Sequence, residues 1–386
     1  MTLGAATRVP GQRVLAFRGS RTGRSAFALV NARWSAGLSA TGEYYIVDHD
    51  EQASPPPDIL IHHDFESHFR EFRPPPDTPS VAVRTWDFGP LPRAWADKIN
   101  AEYRQYWAHT HWIAQQARAA GVDPERIRVV PHGVDRQVFT PDGPRYDLPT
   151  RKKLAFLFVG GMSFRKGTDT LLSAWRKAFT ASDDVVLVLK DHSKDLFYRD
   201  DTVRRALADL AADPGAATVV HIDGFLPESE LAALYRACDV AVFPYRAEGF
   251  CIPILECMAS GTPAIVPRFG ACLDYSTDET SYFTDVKRIR VPVHRRMTVA
   301  LGFTDEVDEV DFCEVPVDAL ADRLREAAND SERARAERSA AGVRVAHDQF
   351  TWDHAVAIVH RCLSELRHPT DTRAGIHDER SPGASD

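Results

Sequence analysis

Two glutamates, Glu248 and Glu256, are separated by seven residues around the expected start of a helix. A short apolar strand ending at Phe243 precedes them, and the helix should begin near Ile252. Exposed N–H groups at a helix N-terminus favour phosphate, whereas carboxylates repel it. The two glutamates must therefore face another part of a ligand, and sugar hydroxyls suit them because each carboxylate accepts hydrogen bonds from a diol. The pattern alone equally fits two solvated charges beside a helix start.

Basic side chains follow two neighbouring strands of the second half. Arg165 and Lys166 come after a predicted strand at 154–159, and Lys190 ends the next strand. Ligands of open parallel sheets bind beyond the carboxyl ends of the strands, so all three could reach one cleft. Two cations there would neutralise a diphosphate leaving group. The alternatives are a surface charge pair for Arg165 and Lys166 and a solvated side chain for Lys190.

Glycines follow the opening strand of the first half. Gly19 and Gly23 lie in the turn after it, where glycine lets the backbone approach a ligand closely. This turn lacks the GxGxxG pattern, and no acidic residue at the right strand end supports NAD binding. We therefore expect this turn to contact a ligand other than a dinucleotide such as NAD.

Other strand ends of the first half carry histidine, tryptophan and aspartate. His62 and His63 end a strand, and neighbouring residues of a strand point to opposite faces, so only one should face the cleft. We favour His63, with His62 as the alternative; a structural, hydrogen-bonded histidine is also compatible. Trp86 and Asp87 end another strand and could line an acceptor pocket.

The elements that position these residues alternate between strand and helix. Apolar runs bounded by glycine or proline predict strands, and apolar residues at helical spacing predict helices. The predicted strands are 13–17, 44–47, 59–62, 81–85, 127–130, 154–159, 185–189, 218–222, 240–243 and 263–266. The predicted helices lie near 24–34, 92–100, 110–120, 168–179, 202–212, 228–237 and 253–261, with weaker ones from 320 and at 352–366. This alternation predicts βαβ units and two parallel α/β sheets in tandem.

A segment rich in proline and glycine, 135–153, predicts the linker between the two sheets. We expect an N-terminal domain at 1–140 and a C-terminal domain at 141–350. A helix at 351–368 could pack back on the first domain, and 369–386 reads as a disordered tail. The basic stretch 287–296 could contact anionic lipid or a phosphorylated acceptor, or it is an ordinary solvated face.

Composition narrows the class of protein. The chain has 386 residues, 44% of them hydrophobic and 26% charged, and a net charge of -8. This favours a soluble globular protein and argues against nucleic-acid binding. No apolar run is long enough to span a membrane and no signal-like segment is apparent, so we expect a cytoplasmic protein. The six cysteines form no CxxC pair, which favours buried thiols over metal or disulfide sites.

Several motifs together resemble glycosyltransferase family 4, most clearly over residues 127–275. Glu248 and Glu256 match the E-x7-E signature, and the runs VPHGVD at 130–135, FVGG at 158–161, RKG at 165–167 and HIDGF at 221–225 follow in family order. The resemblance implies the GT-B fold, an α/β architecture of two facing Rossmann-like domains with a cleft between them. The second domain would hold most of the donor.

The resemblance also implies roles for individual residues. Glu248 would contact the transferred sugar and Glu256 the ribose, with the backbone of Gly249, Phe250 and Cys251 against sugar and diphosphate. Lys166 matches a donor-phosphate lysine. Arg165 would replace an arginine that the family places nearer the preceding strand. The turn with Gly19 and Gly23 would contact the diphosphate, and His63 would lie near the acceptor and the transferred sugar.

The implied reaction is transfer from a nucleotide-diphosphate sugar to a hydroxyl acceptor with retention of anomeric configuration. No metal and no other cofactor is required by it, and the acceptor could be a glycan, a lipid or a small molecule. Two alternatives stay open. One is another sugar-nucleotide enzyme of this fold, such as an epimerase or a phosphorylase. The other is a binding protein that kept the fold and lost transfer.

Overall fold

The computed structural model describes residues 8–50, 56–64, 69, 71–191, 201–292 and 309–366, and the first half of this part forms one parallel sheet. Its strands are β1 Arg13–Arg18, β2 Tyr44–Asp48, β3 Ile59–His62, β4 Ser80–Val83, β5 Gln105–Ala108 and β6 Ile127–Val129. They are ordered β2-β1-β3-β4-β5-β6. The helices of this half are α1 Ala26–Ala40, α2 Arg93–Glu102 and α3 His111–Ala119.

The second half forms another parallel sheet. Its strands are β7 Leu154–Val159, β8 Val185–Asp191, β9 Thr218–Asp223, β10 Val240–Val242, β11 Ala264–Pro267 and β12 Ser281–Thr284. They are ordered β12-β11-β10-β7-β8-β9. The helices among them are α4 Thr168–Ala178, α5 Asp201–Ala212, α6 Glu228–Ala237 and α7 Ile252–Ala259. Two Rossmann-like α/β units therefore follow each other in the chain, as the alternating pattern predicted.

The central strands show why the sequence folds this way. β7 and β8 pair in parallel, with Leu154 opposite Val185, and nearly every side chain along them is buried. Strands covered on both faces are apolar throughout, which made them easy to predict. Helix α4 places Trp175 against Phe156 of β7. Because all strands run the same way, the loops after β7 and β10 meet at one edge of the sheet.

The end of the described chain returns to the first sheet. The last helices are α8 Val317–Asn329, α9 Glu332–Gln349 and α10 Trp352–Ser364. Helix α10 lies so close to α1 that a Cβ on Gly37 would be 2.5 Å from Val356. Gln105 of β5 donates a hydrogen bond to the Cys362 carbonyl at 3.2 Å. The exact domain limits stay a prediction, and the tail expected at 369–386 lies outside the described residues.

Some elements were not predicted. Strand β5 begins with a polar glutamine whose side chain bonds to Trp107 and Cys362, so the segment lacks the apolar run of its neighbours. Strand β12 and helix α9 were also missed; α9 has few buried residues and a largely polar sequence. Whether these segments fold as strand or helix is therefore decided by tertiary contacts and not by a local apolar pattern.

The charged runs after residue 284 form an antiparallel ribbon, which the sequence did not predict. Strand β13 Lys287–Pro292 pairs with β14 Glu309–Glu314, and Arg290 lies opposite Asp311. Asp311 is buried and binds Arg288 at 2.5 Å and Arg290 at 2.9 Å. Arg288 and Arg290 nevertheless remain 57% exposed, so contact of this stretch with anionic lipid or a phosphorylated acceptor stays a prediction; 293–296 lies outside the described residues.

Candidate functional site

The site is built around the loop that joins β10 to helix α7. The loop ends at Cys251, which has φ +65° and is the one non-glycine residue with positive φ in the described part of the chain. No side chain caps the N-terminus of α7. Tyr275 donates its hydroxyl to the carbonyls of Phe250 and Cys251 and so fixes the loop. The helix N-terminus, with its positive dipole end, is thus presented at the edge of the sheet.

A second loop, after β7, brings two cations to this edge. It ends in a short 3-10 turn, Phe164–Lys166, followed by Gly167 at φ +71°. A Cβ on Gly167 would lie 1.9 Å from the Pro244 carbonyl oxygen, so only glycine allows the two loops to touch here. The Arg246 N–H donates to the Arg165 carbonyl at 2.8 Å and ties the loops together.

The side chains of these loops form one ionic cluster. Lys166 Nζ and Glu248 Oε1 are in direct contact, and Arg165 Nη1 lies 3.2 Å from the same oxygen. Burial alone would raise the pKa of Glu248, but Arg165 and Lys166 outweigh it and hold the pKa below its usual value. Burial alone would lower the pKa of Lys166, but Glu248 outweighs it and the pKa is raised. Glu248 and Lys166 are therefore both charged at neutral pH.

The first domain contributes Asp87 to the same cluster. Asp87 Oδ2 lies 2.9 Å from Arg165 Nη1, and Gly249 is so close that a Cβ on it would lie 2.8 Å from Asp87 Oδ1. Burial raises the pKa of Asp87, although Arg165 opposes this. Thr110 donates its hydroxyl to the Gly249 carbonyl at 3.3 Å. The two domains thus meet directly at the loop that carries Glu248.

We expect Gly249→Ala to push the domains apart at this contact. The new methyl group would lie 2.2 Å from Thr85 Cγ2 and 2.8 Å from Asp87 Oδ1. Overpacking costs about 1–3 kcal/mol, so the free energy of unfolding in urea should fall by that amount. Gly215→Ala is the matched control, because its Cβ would meet only Asp213 Oδ1 at 3.4 Å. Equal unfolding free energies for the two variants would contradict the tight contact.

Glu256 lies in helix α7, away from the ionic cluster. Its carboxylate accepts a hydrogen bond from the Tyr235 hydroxyl at 2.9 Å. Burial raises the pKa of Glu256 to about 7, with Glu228 adding to the effect and the Tyr235 bond opposing it. Glu228 in turn pairs with Arg33 of helix α1 at 2.7 Å. Glu256 is a buried carboxyl that gains or loses its proton near neutral pH.

The two neighbouring histidines have different surroundings. His62 bonds through Nδ1 to the Tyr103 hydroxyl at 2.7 Å and through Nε2 to Arg84 at 3.1 Å, inside the core of the first domain. His63 bonds to Asn31 Oδ1 at 2.7 Å. The alternative that placed His62 in the cleft is therefore wrong, because its side chain points to the opposite face.

His63 begins a row of rings that leads to the Glu248 loop. Its ring lies 5.5 Å from that of His109, which lies 4.0 Å from His132, which lies 4.6 Å from Phe250. Burial lowers the pKa of His63 and His132, and that of His109 to about 4, so the row is neutral at pH 7. His132 was not singled out beforehand, although it lies in the VPHGVD run.

Other predicted site residues lie apart from the cluster. Trp86 packs in the first core against Phe88 and Trp95, with 1% of its surface exposed, so it does not line an acceptor pocket. Lys190 Nζ donates to the carbonyls of Asp191, at 2.8 Å, and Gly224. These bonds hold it between β8 and β9, and it contacts neither Glu248 nor Lys166.

The glycine turn of the first domain packs against the histidine strand. Gly19 has φ +134°, and a Cβ on it would lie 1.9 Å from the His63 carbonyl oxygen. Gly23 has φ +116° and meets only Ala28, at 4.0 Å. Gly19 is thus required for packing, while contacts of Gly19 and Gly23 with a donor stay a prediction.

Two properties concern metals and membranes. Within the described residues, no group of three histidine, cysteine, aspartate or glutamate side chains could hold a metal ion. Across the same ranges, no helix combines the length and the apolar character needed to cross a bilayer.

Known sequences that are similar to this chain are named as glycosyltransferases. Residues 145–289 match the family model described as Glycosyl transferases group 1. The chain is 30% identical over 199 residues to MMP alpha-(1->4)-mannosyltransferase of Mycolicibacterium hassiacum, covering 50% of this chain and 45% of that protein. It is 31% identical over 251 residues to D-inositol 3-phosphate glycosyltransferase of Xylanimonas cellulosilytica, covering 62% and 51%. The aligned part thus spans about half the length of these relatives.

Comparison with solved structures establishes the fold. A glycosyltransferase from Rickettsia africae superposes with a TM-score of 0.68 at 12% identity, covering 92% of this chain and 98% of that one. HepE from Anabaena, in complex with UDP and glucose, superposes with a TM-score of 0.66 at 12% identity, covering 92% and 100%. The chain has the GT-B fold, as the sequence predicted.

Proposed function

We propose that this protein is a retaining glycosyltransferase that moves a sugar from a nucleotide-diphosphate sugar to a hydroxyl acceptor. The observation that carries the proposal is the cluster of Lys166, Arg165 and Glu248 beside the N-terminus of helix α7. Two cations and a helix dipole form a site for a diphosphate, and a carboxylate at its edge can accept hydrogen bonds from a sugar. The family match over 145–289 supports the same activity.

In this mechanism the chain positions both substrates and stabilises the leaving group. The bond between the anomeric carbon and the diphosphate oxygen breaks, and the acceptor oxygen bonds to the same face of that carbon. The acceptor proton passes to the departing phosphate oxygen. Lys166 and Arg165 offset the negative charge that develops there, and Glu248 orients the sugar. Glu256 accepts hydrogen bonds from the ribose hydroxyls.

The row of rings that begins at His63 would border the transferred sugar on the side of the first domain. His63, His109 and His132 are neutral, so they offer hydrogen bonds without placing a positive charge on the face where the acceptor arrives. Phe250 connects this row to the Glu248 loop. The relatives act on an inositol phosphate in one case and are named for α-mannosyl transfer in another, which makes hydroxyl acceptors the class to test first.

Turnover of a panel of UDP-, GDP- and ADP-sugars tests the proposal, with release of nucleoside diphosphate as the readout. One donor should turn over. Glu248→Gln should lower the rate of that turnover about 100-fold, because the transferred sugar loses the charged carboxylate that accepts its hydrogen bonds. Glu326→Gln, on an exposed ion pair with Arg323, serves as the control and should keep full activity. Interconversion of donors without nucleotide release would indicate an epimerase. Donor binding without turnover in any assay would indicate a binding protein.

The stereochemistry is tested separately by following the product's anomeric proton by NMR. Retention requires the new bond to have the configuration of the donor. Inversion would contradict the front-face mechanism while leaving glycosyl transfer intact.

A further inference from the structure

Asp87 occupies a position that suits an anionic ligand. One carboxylate oxygen contacts Arg165 Nη1 at 2.9 Å, and the carboxylate lies against Gly249, in the loop that leads to helix α7. An arginine beside a helix N-terminus is a group that binds a phosphate oxygen. In this structure the anion at these groups is a side chain of the first domain.

The loop that carries Asp87 is held in this place from two sides. Thr85 packs against Gly249, and the Phe88 carbonyl accepts the Asp311 N–H at 3.0 Å. The ribbon of β13 and β14 also reaches the second domain, because the Cys313 N–H donates to the Arg246 carbonyl at 2.9 Å. Contact between Asp87 and Arg165 therefore goes together with closed domains.

The four charged side chains of this cluster balance one another without a further anion. Asp87 and Glu248 balance Arg165 and Lys166, and 18% or less of each of these four side chains is exposed. A diphosphate brings further negative charge to the same arginine, and like charges held together in a partly buried site repel strongly. Burial raises the pKa of the Asp87 carboxylate, so desolvation opposes its charged form at this position. It can leave when a stronger anion arrives.

We propose that Asp87 is an internal competitor of the donor diphosphate, holding the anion site in the closed, ligand-free chain and lowering the affinity for donor and product. This inference rests on the proposed function, because it takes Arg165 and the Gly249 loop as the diphosphate site. The donor must displace Asp87 to bind, so the observed dissociation constant equals the intrinsic one divided by the fraction of chains in which Asp87 has left the site. Removing its charge should then tighten binding, whereas removing a residue that contacts the ligand weakens it.

Titration calorimetry with UDP, GDP and inorganic pyrophosphate tests this on wild type, Asp87→Asn and the matched control Asp169→Asn. Asp169 pairs with Arg246 of the same loop but not with Arg165, so its variant shows the effect of losing a nearby negative charge. We expect Asp87→Asn to bind at least one probe about 5-fold more tightly, the upper end for one ion pair, and Asp169→Asn to match wild type. Thermal unfolding confirms that each variant is folded.

Small-angle scattering of the ligand-free proteins gives a second readout, since loss of the Asp87 contact should enlarge the radius of gyration.

Equal or weaker probe binding by Asp87→Asn, with binding by wild type intact, overturns the inference and leaves the proposed function standing. Equal tightening by both variants also overturns it, since charge alone then suffices. Absence of binding in all three proteins overturns the proposed diphosphate site, and the inference with it. Binding by Asp87→Asn alone supports the inference most strongly.

Discussion

Lys166→Met is expected to lower kcat for sugar transfer by about 100-fold to 1000-fold while the fold is kept. One preorganised group that stabilises developing charge contributes this much in other enzymes. Lys166 is charged and is held in contact with Glu248, so its ammonium is already fixed at the edge of the sheet where the leaving diphosphate is proposed to bind. KM for the donor should change less than kcat, because the negative charge on the diphosphate is greatest in the transition state.

The comparison that isolates this effect uses Lys177→Met. Lys177 is also in the second domain, but it is half-exposed and pairs with Asp318 at 2.5 Å on the outer surface. This variant should retain wild-type kcat, because exposed ion pairs contribute little. A loss of kcat below about 10-fold in Lys166→Met, with normal thermal unfolding, would contradict a role in leaving-group stabilisation. If Lys166→Met instead raised KM for the donor by about 100-fold to 1000-fold and left kcat unchanged, Lys166 would act in ground-state binding of the donor.

The strands were predictable because burial on both faces of a parallel sheet leaves a local signature. β8 is buried throughout, and its apolar run needed no partner to be recognised. The ribbon of β13 and β14 carries no such signature. Arg290 is exposed while Asp311 opposite it is buried, and which acid meets which cation depends on a register between distant segments. Pairing of this kind is set by tertiary contacts that the local sequence does not encode.

The site was predictable within one domain and unpredictable between domains. The strand-end rule placed Lys166 and Glu248 at the same edge, and the structure brings them into contact. The alternation of side chains along a strand showed that His62 and His63 must separate, but placing His62 in the core required its bonds to Tyr103 and Arg84. The contact of Asp87 with Arg165 depends on how two separately folded sheets face each other. No spacing in the chain encodes that arrangement.

Glu256→Gln is expected to stabilise the ligand-free protein at pH 8 by up to about 3 kcal/mol. The folded-state pKa of Glu256 is about 7, against 4.5 for an ordinary glutamate. The folded state therefore binds the proton more tightly than the unfolded state, so stability falls as pH rises from 4.5 through 7 and is constant above. A shift of this size corresponds to roughly 3 kcal/mol at about 1.4 kcal/mol per unit. Glutamine has no charge to lose and keeps an oxygen that can accept the Tyr235 hydroxyl.

Urea unfolding at pH 5 and at pH 8 measures the effect. The stability difference between Glu256→Gln and wild type should be small at pH 5 and near its full value at pH 8. Glu326→Gln, which alters an exposed carboxylate paired with Arg323, should follow wild type at both values. Parallel stability curves for wild type and Glu256→Gln would show that the carboxyl ionises at its ordinary pKa.

The same substitution should weaken the binding of nucleoside diphosphates. In the proposed donor site the ionised carboxylate would accept hydrogen bonds from both ribose hydroxyls, and the protonated form would lose part of that capacity. Wild-type affinity should therefore rise as pH increases through 7, and Glu256→Gln should bind more weakly above pH 7 with little dependence on pH. The ionised Glu256 carboxylate destabilises the ligand-free protein because it is buried, and hydrogen bonds from the ligand would compensate for this. A preformed binding site is expected to lower stability in this way. Tighter nucleotide binding by the more stable variant would refute that account.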